Sequence, residues 1–219
     1  MLHVGAHEAE ELEDYISAGA KHIYWIEAQI DKVEHLKDRL DPEKNSVICA
    51  VAWNEIGIPL KLRIASNSES SSVYKMSEHS RLYPKITELS SVEMISTTLE
   101  SIVPSNFNPT FLNLDIQGSE LNALKGFGSR LLGIDAIYSE VNKSDLYLGI
   151  PHFDEITSYM KNLGFSLASV KWWKLDGWGD ALYLRESLHT KRRIKSVILR
   201  KIYTGKWHLQ NSIRIIFKR

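Results

Sequence analysis

Residues 111–126 constrain the fold of this 219-residue chain more than any other stretch. The run FLNL has the composition of a buried strand. It is followed by an acid at Asp115, a glycine at Gly118 and an apolar helix pattern. This order predicts that Asp115 lies at the carboxyl end of a strand in an open α/β sheet. Because ligands of such sheets bind in the crevice above the strand ends, Asp115 is a candidate site residue.

The first residues of the chain show the same order of strand, glycine and helix. The strand ends at Gly5, and the acidic run from Glu8 predicts the start of a helix. Gly5 has no side chain, so a ligand could approach the backbone and the helix amides there. Glu27 ends the next predicted strand, and an acid about 20 residues after such a glycine binds ribose hydroxyls in nucleotide-binding sheets. The two positions together predict a nucleotide site.

Further along the chain, β-rich runs alternate with helical patterns. Residues 23–26, 47–51 and 136–140 are predicted strands, whereas residues 31–40 and 153–163 have helical periodicity. This alternation favours βαβ units and a mainly parallel sheet.

Two more segments complete the expected architecture. Residues 165–173 and 181–184 are predicted to form a closing hairpin, joined through the turn residues 174–180. The polar, serine-rich residues 67–80 predict a mobile loop, and its length favours a lid or a binding loop.

Several short motifs, in one order over residues 2–185, resemble the FkbM-type family of S-adenosylmethionine-dependent methyltransferases. They are HVGAH from His3, WIEA from Trp25, SN from Ser66, SSS from Ser70, LDIQGSE from Leu114, LKG from Leu124, EVN from Glu140, LYLG from Leu146, GF from Gly164 and GWGDALY from Gly177. The resemblance implies a Rossmann-like class I methyltransferase fold, with a mainly parallel sheet closed by a C-terminal antiparallel hairpin. It also implies S-adenosyl-L-methionine as cofactor and O-methylation of a hydroxyl on a sugar, glycan or related metabolite. The chain departs from many relatives at His3, where they carry an acid, and its first strand begins so early that we expect either a compact chain or a preceding segment.

Strand-end positions and the resemblance together predict the site residues. The cofactor-binding set is Val4, Gly5, Ala6, His7, Glu27, Ala28, Asp115 and Gln117. Glu140 is the first candidate for the group that orients the acceptor hydroxyl or takes its proton, and Asp115 is the second. The substrate-binding set is Ser71, Ser72, Asn142, Tyr147 and Trp178.

Structural alternatives exist for several of these residues. Asp115 could be a helix N-cap, Glu120 a first-turn helix acid, and Glu140 a solvated acid at a strand end. Asp180 could brace the site or simply form a turn. Trp178 and its neighbours Trp172 and Trp173 could form a platform for a sugar ring, although burial at a sheet edge is commoner.

Cysteine and histidine give little support to other chemistry. Cys49 is the single cysteine, so no intrachain disulfide can form, and its apolar neighbours predict a small buried side chain. His3 and His7 flank a predicted strand end, where their spacing does not present two imidazoles on one face, so we expect no metal site. His79 and His152 lie in predicted loops and are expected at the surface.

Charge divides the chain into two parts, a predicted methyltransferase domain at residues 1–186 and a C-terminal tail at 187–219. The first carries 17 basic and 27 acidic residues, and the second carries 10 basic residues and no acid. Basic and apolar residues interleave in the tail, which is typical of a segment lying on an anionic membrane surface. Docking on the acidic domain or on a second copy is an alternative, and nucleic acid is a weaker one. With no predicted membrane span or cleavable signal, we expect a cytoplasmic protein.

Two rival functions use the same fold. A nicotinamide-dependent oxidoreductase usually has a fuller Gly-x-Gly-x-x-Gly turn, whereas only Gly5 is present here. A degenerate methyltransferase domain could serve as a binding module without catalysis, with the tail as its membrane or partner contact.

Overall fold

A computed structural model describes residues 1–173 and 177–189. Its strands are β1 (Leu2–Val4), β2 (Ile23–Glu27), β3 (Asn45–Cys49), β4 (Val51–Ala52), β5 (Pro59–Ala65), β6 (Glu88–Thr97), β7 (Phe111–Leu114), β8 (Ala136–Asn142), β9 (Phe165–Trp172) and β10 (Trp178–Arg185). Its helices are α1 (Leu12–Ser17), α2 (Ile30–Arg39), α3 (Glu78–Leu82), α4 (Leu99–Ile102), α5 (Glu120–Phe127), α6 (Phe153–Asn162) and α7 (Glu186–His189). None of these helices combines the length and the apolar character that crossing a bilayer requires.

The main sheet has seven strands in the order β3-β2-β1-β7-β8-β10-β9. The first five are parallel, and β10 is antiparallel to both of its neighbours. This arrangement confirms the predicted class I methyltransferase fold with its closing hairpin. The strands β2 and β7 pair on opposite sides of β1, so the strand order reverses at β1. Such a switch point leaves a crevice above the strand ends.

Apolar side chains cover both faces of this sheet. Leu2 and Val4 point into a cluster with residues of α5 and α6, whereas Trp25 and Phe111 point into a second cluster with α1 and α2. The predicted helices are confirmed by burial of their apolar faces, and α6 ends just before Gly164, which has φ of +78°. The sheet is therefore a rigid central layer that holds its strand ends in place.

The structure differs from the sequence predictions at the start of the first helix, at Cys49 and in a second sheet. The first helix begins at Leu12, because residues 8–11 form turns, with Ala9 at φ of +53°. Cys49 is exposed rather than buried, because it ends β3, the edge strand of the sheet. A second sheet of β4, β6 and β5 was not foreseen, because most side chains of β6 are exposed and lack an apolar face.

The serine-rich segment is tied to the rest of the chain. It contains a 3-10 turn at Ser68–Ser70 and the short helix α3. Isolated bridges join Ser72 to Arg63 and Met76 to Tyr147. The segment therefore forms an anchored wall beside the sheet edge rather than a loop without contacts.

Candidate functional site

Two adjoining cavities lie at the carboxyl edge of the sheet. The first has a volume of about 600 Å³ and is lined by the ends of β1 and β2, by residues 50–52 and by part of the serine-rich segment. The second has a volume of about 1130 Å³ and lies toward β8 and α3. The residues that line both are Gly5, His7, Glu69, Asp115 and Gln117. A ligand in one cavity would therefore meet a ligand in the other above β1 and β7.

Gly5 is the point at which the two predicted junctions touch. Its φ is +90°, and a Cβ atom there would lie 1.7 Å from the backbone oxygen of Asp115. The Asp115 N–H donates to Val4 O at 3.0 Å, and the Gly5 N–H donates to Ile26 O at 2.9 Å. Only a residue without a side chain allows the backbones of β1 and β7 to approach so closely.

Glu27 is buried at the end of β2, as the sequence predicts, and is 6% exposed. Its carboxylate accepts hydrogen bonds from three backbone N–H groups, those of His7 at 2.9 Å, Ala28 at 2.7 Å and Gln29 at 2.8 Å. A carboxylate has about four lone-pair sites, so these bonds leave room for a further donor. Glu27 therefore ties the Gly5 turn to β2 and keeps acceptor capacity toward the first cavity.

Gln117 is at the centre of the loop between β7 and α5. Its backbone is left-handed, with φ of +52°. The side-chain Nε2 donates to Asp115 Oδ1 at 3.0 Å and to Glu140 Oε2 at 2.7 Å, and Oε1 accepts from the Tyr147 hydroxyl at 2.8 Å. The side chain thus contacts protein groups on every side.

Since α5 begins at Glu120, after Ser119, the alternative in which Asp115 caps this helix is wrong.

Glu120 is a buried carboxyl that holds this loop. It is 1% exposed, and its Oε1 accepts from the N–H groups of Ile116 at 3.0 Å and Gly118 at 3.1 Å. Its Oε2 has no partner, and burial raises the pKa of Glu120 to about 7. Glu120 lies in the first turn of α5, as the sequence predicts, but its burial was not predicted.

Glu140 lies inside β8 and is 3% exposed, so the alternative of a solvated acid is wrong. Besides Gln117, its carboxylate accepts from Asn142 Nδ2 at 3.3 Å. Burial, then the charges of Asp115 and Glu120 and a hydrogen bond with Asp115, raise the pKa of Glu140 well above its usual range. Asp180 pairs with Glu140 in register on β10, which rules out a turn, and burial raises its pKa to about 7.

The predicted substrate residues divide into three groups. Trp178 lines the second cavity, whereas Ser71 and Ser72 line the first. Asn142 and Tyr147 are fully buried and line neither cavity. Asn142 hydrogen-bonds to Glu140 and Tyr147 to Gln117, so the two residues support these side chains from behind.

The predicted cofactor residues line the first cavity, with one difference. Val4, Gly5, His7, Glu27, Ala28, Asp115 and Gln117 are all in its wall. Ala6 is not, because its side chain packs in the core cluster with Tyr15 and its N–H donates to Ile26 O.

The family of the chain follows from a comparison with family models. Residues 3–167 match the model described as the methyltransferase FkbM domain. The chain belongs to the FkbM methyltransferase family. It is an S-adenosylmethionine-dependent methyltransferase, and S-adenosylmethionine is its cofactor.

Solved structures with a similar arrangement are more distant. A putative tRNA methyltransferase of Streptococcus pneumoniae is 8% identical, with a TM-score of 0.48 over 99% of this chain and 90% of that one. Magnesium protoporphyrin IX methyltransferase from Synechocystis PCC 6803, with bound S-adenosylmethionine, is 9% identical, with a TM-score of 0.42 over 84% of this chain and 68% of that one. No curated protein sequence is a significant match to the chain.

The first cavity of this FkbM methyltransferase suits the cofactor. It lies at the carboxyl ends of β1 and β2, which is where open α/β sheets bind their ligands. Glu27 retains acceptor capacity for a ribose hydroxyl, and Asp115 lies where both cavities meet. We propose that the nucleoside part of the cofactor binds beside Gly5, Glu27 and Ala28.

The sequence did not predict that His79 and Tyr83 line the second cavity. His79 was expected at the surface, but it is 4% exposed, its Nδ1 has no partner, and burial lowers its pKa. It lines the cavity with Tyr83, because the N–H of His79 donates to Leu146 O and pins α3 beside β8. Such a contact between distant segments leaves no local signal in the sequence.

Only one of the three tryptophans considered as a sugar platform lines the second cavity. Of the three tryptophans, Trp178 lines it, Trp173 is 38% exposed and stacks on Trp178, and Trp172 packs against the core. Among the described residues, His7, Glu10 and Glu69 have possible ligand atoms within 4.8 Å of one another, and both acids are exposed. His7 bonds to Glu10 and to Ser68, so its ring is already oriented within the protein.

Proposed function

We propose that this FkbM methyltransferase methylates a hydroxyl group of a sugar, glycan or related metabolite bound in the second cavity. The observation that carries the proposal is that two kinds of side chain line this cavity. Asp115 and Glu140 contribute carboxylates, whereas Tyr83 and Trp178 contribute aromatic rings. Carboxylates accept hydrogen bonds from hydroxyls, and an aromatic face packs against the apolar face of a sugar ring.

The charge of the lining supports an acceptor without phosphate. Among the described residues, no Lys or Arg lines the second cavity, whereas Glu10, Glu11 and Glu69 add to its acids. Proteins bind phosphate mainly through Arg, Lys and backbone N–H groups. A neutral polyol therefore suits this cavity better than a nucleotide or a sugar phosphate.

The chemistry asks two things of the chain's residues. When bound, S-adenosylmethionine supplies an electrophilic methyl group. The cavity must hold the acceptor oxygen in line with that group, and positioning of this kind provides much of the rate. A carboxylate must also take the hydroxyl proton. Glu140 is the first candidate because its carboxylate lines the second cavity at β8, and Asp115, which lines the same cavity, is the second.

The proposal is tested with tritiated S-adenosylmethionine and a panel of methyl glycosides, with sugar phosphates as the matched charged set. We expect label in the glycosides as methyl ethers, identified by mass spectrometry, and little or none in the phosphates. Transfer only to amines, carboxylates or phosphorylated sugars would contradict it.

Replacing the base gives a second test. Glu140→Gln keeps the size and hydrogen-bonding reach of the side chain but removes its basicity, so turnover should fall by about 10²- to 10⁴-fold. The measurement is kcat with a glycoside that the wild-type protein methylates. Glu155→Gln, in the first turn of α6, is the control. Wild-type turnover in Glu140→Gln would assign proton transfer to Asp115 or to positioning alone.

A further inference from the structure

The side-chain amide of Gln117 joins the two carboxylates on which the proposed function depends. Its Nε2 lies 3.0 Å from Asp115 Oδ1 and 2.7 Å from Glu140 Oε2. A primary amide has two N–H hydrogens, one for each carboxylate. We propose that Gln117 is a positioning residue that holds Asp115 and Glu140 as one proton-accepting unit facing the acceptor. The inference rests on the proposed function only for the identity of that acceptor.

The amide is held from behind in the orientation that this role needs. The Tyr147 hydroxyl lies 2.8 Å from Gln117 Oε1 and 3.0 Å from the backbone oxygen of Ser70, and it has one proton to donate to either acceptor. With Oε1 beside this hydroxyl, the N–H groups of Gln117 face the carboxylates. The Ser72 hydroxyl donates to the backbone oxygen of Gln117 at 2.7 Å. Glu120 accepts from the backbone N–H groups on both sides of Gln117. A donor fixed in this way needs no reorganisation when charge develops near it.

The electrostatic surroundings explain why a neutral donor is needed there. The ionisable groups that act on the Glu140 carboxyl are Asp115 after β7, Glu120 on α5, Asp180 on β10 and Tyr147 after β8. Among the described residues, no Lys or Arg hydrogen-bonds to Glu140 or Asp115. Burial and nearby negative charge favour the protonated form of the Glu140 carboxyl. An N–H group that hydrogen-bonds to its ionised form opposes this effect, so that Glu140 is available as a base at lower pH.

Gln117→Met tests the proposal, because methionine has a similar length but no donor. Losing a hydrogen bond to a charged group should raise the titration midpoint of the Glu140 carboxyl by about one to two pH units. Carboxyl-labelled ¹³C NMR of the free protein measures this midpoint, and Glu140→Gln assigns the signal. With an active glycoside, kcat below that midpoint should fall by about ten- to a hundredfold.

Two variants protect the test against misfolding and nonspecific effects. Gln117→Asn retains an amide that is one methylene too short to bridge both carboxylates, and asparagine suits the left-handed backbone of this position. It should raise the midpoint in the same direction. Asn122→Leu removes an amide of the same helix region that donates to the Tyr74 hydroxyl at 2.9 Å, and it should leave the midpoint unchanged.

The outcomes separate this inference from the proposed function. An unchanged midpoint in folded Gln117→Met and Gln117→Asn would overturn the positioning role, even if glycosides are methylated. A raised midpoint supports the role. If it is raised while the wild-type protein methylates no glycoside, the carboxylate pair stands and the proposed acceptor is wrong.

Discussion

Gly5→Ala should destabilise this FkbM methyltransferase much more than Gly57→Ala, although the two glycines have nearly the same backbone conformation. Their φ angles are +90° and +87°. An L-residue with a side chain pays about 1–2 kcal/mol for the left-handed conformation, and this cost applies equally to both positions. The comparison therefore isolates what surrounds each glycine.

The surroundings differ in the atoms that a new methyl group would meet. At Gly5 the Cβ would lie 1.7 Å from the backbone oxygen of Asp115 and 2.7 Å from its carbonyl carbon, whereas at Gly57 no atom lies within 4 Å. The Asp115 backbone is held by its hydrogen bond to Val4, so it cannot yield without opening the contact between β1 and β7. Overpacking of this kind costs about 1–3 kcal/mol beyond the conformational term. We expect a loss of about 2–5 kcal/mol at Gly5 and about 1–2 kcal/mol at Gly57.

Urea unfolding of the wild type and both variants, followed by tryptophan fluorescence and circular dichroism, measures these losses. The same titrations report whether the m-value is unchanged, which is needed to compare the free energies of unfolding. If Gly5→Ala relaxes by separating β1 from β7, its affinity for S-adenosylmethionine should also fall, while that of Gly57→Ala should not. Equal destabilisation by the two substitutions would refute the close approach of the strand ends on which the site depends.

Three further predictions follow from the site and the tail. Glu27→Ala should weaken S-adenosylmethionine binding by about one to two orders of magnitude, through loss of a charged hydrogen-bond partner. Titration calorimetry measures this, and unchanged affinity in a folded variant would remove Glu27 from the site. Glu120 should lower the free energy of unfolding as pH rises from about 4.5 to about 7, because its raised pKa means that only the folded state retains the proton in that range. Urea unfolding of Glu120→Gln should therefore show a dependence flatter by up to about 1.4 kcal/mol per pH unit, and an unaltered slope would contradict its burial as an acid. Truncation after Glu186 tests our proposal that residues 187–219 form a peripheral membrane anchor. It should preserve cofactor affinity and abolish binding to anionic vesicles, which in the full chain should weaken as the screening length falls from about 10 Å at 0.1 M salt to about 3 Å at 1 M. Loss of cofactor binding by the truncated chain, with no vesicle binding by the full chain, would contradict the anchor.

The structure describes the C-terminal tail only as far as residue 189. Residues 190–219, and the turn at 174–176, lie outside the described residues, so the division into a domain at 1–186 and a basic tail at 187–219 stays a prediction. The contrast in charge between the two parts of the chain is a property of the sequence alone.

Local patterns were sufficient to predict most of the sheet and the edge at which ligands bind. Gly5 marks a turn, and Glu27 and Asp115 are acids that follow apolar runs typical of strands. All three positions therefore mark strand ends in the sequence. Parallel pairing then brings these ends to one side of the sheet. The periodicity of α2 and α6 also predicts which face each helix buries.

The chemical setting of the site was decided by tertiary structure. The sequence indicates that Gln117, Glu120 and Glu140 are polar residues near strand ends. It does not show that both acids are buried, or that the Gln117 amide joins Glu140 to Asp115. Likewise, His79 enters the second cavity only because α3 packs beside the segment after β8. Burial, and with it the pKa of an acid or an imidazole, depends on atoms brought from distant parts of the chain. Strand ends are encoded by neighbours in sequence, whereas the environment above them is made by neighbours in space.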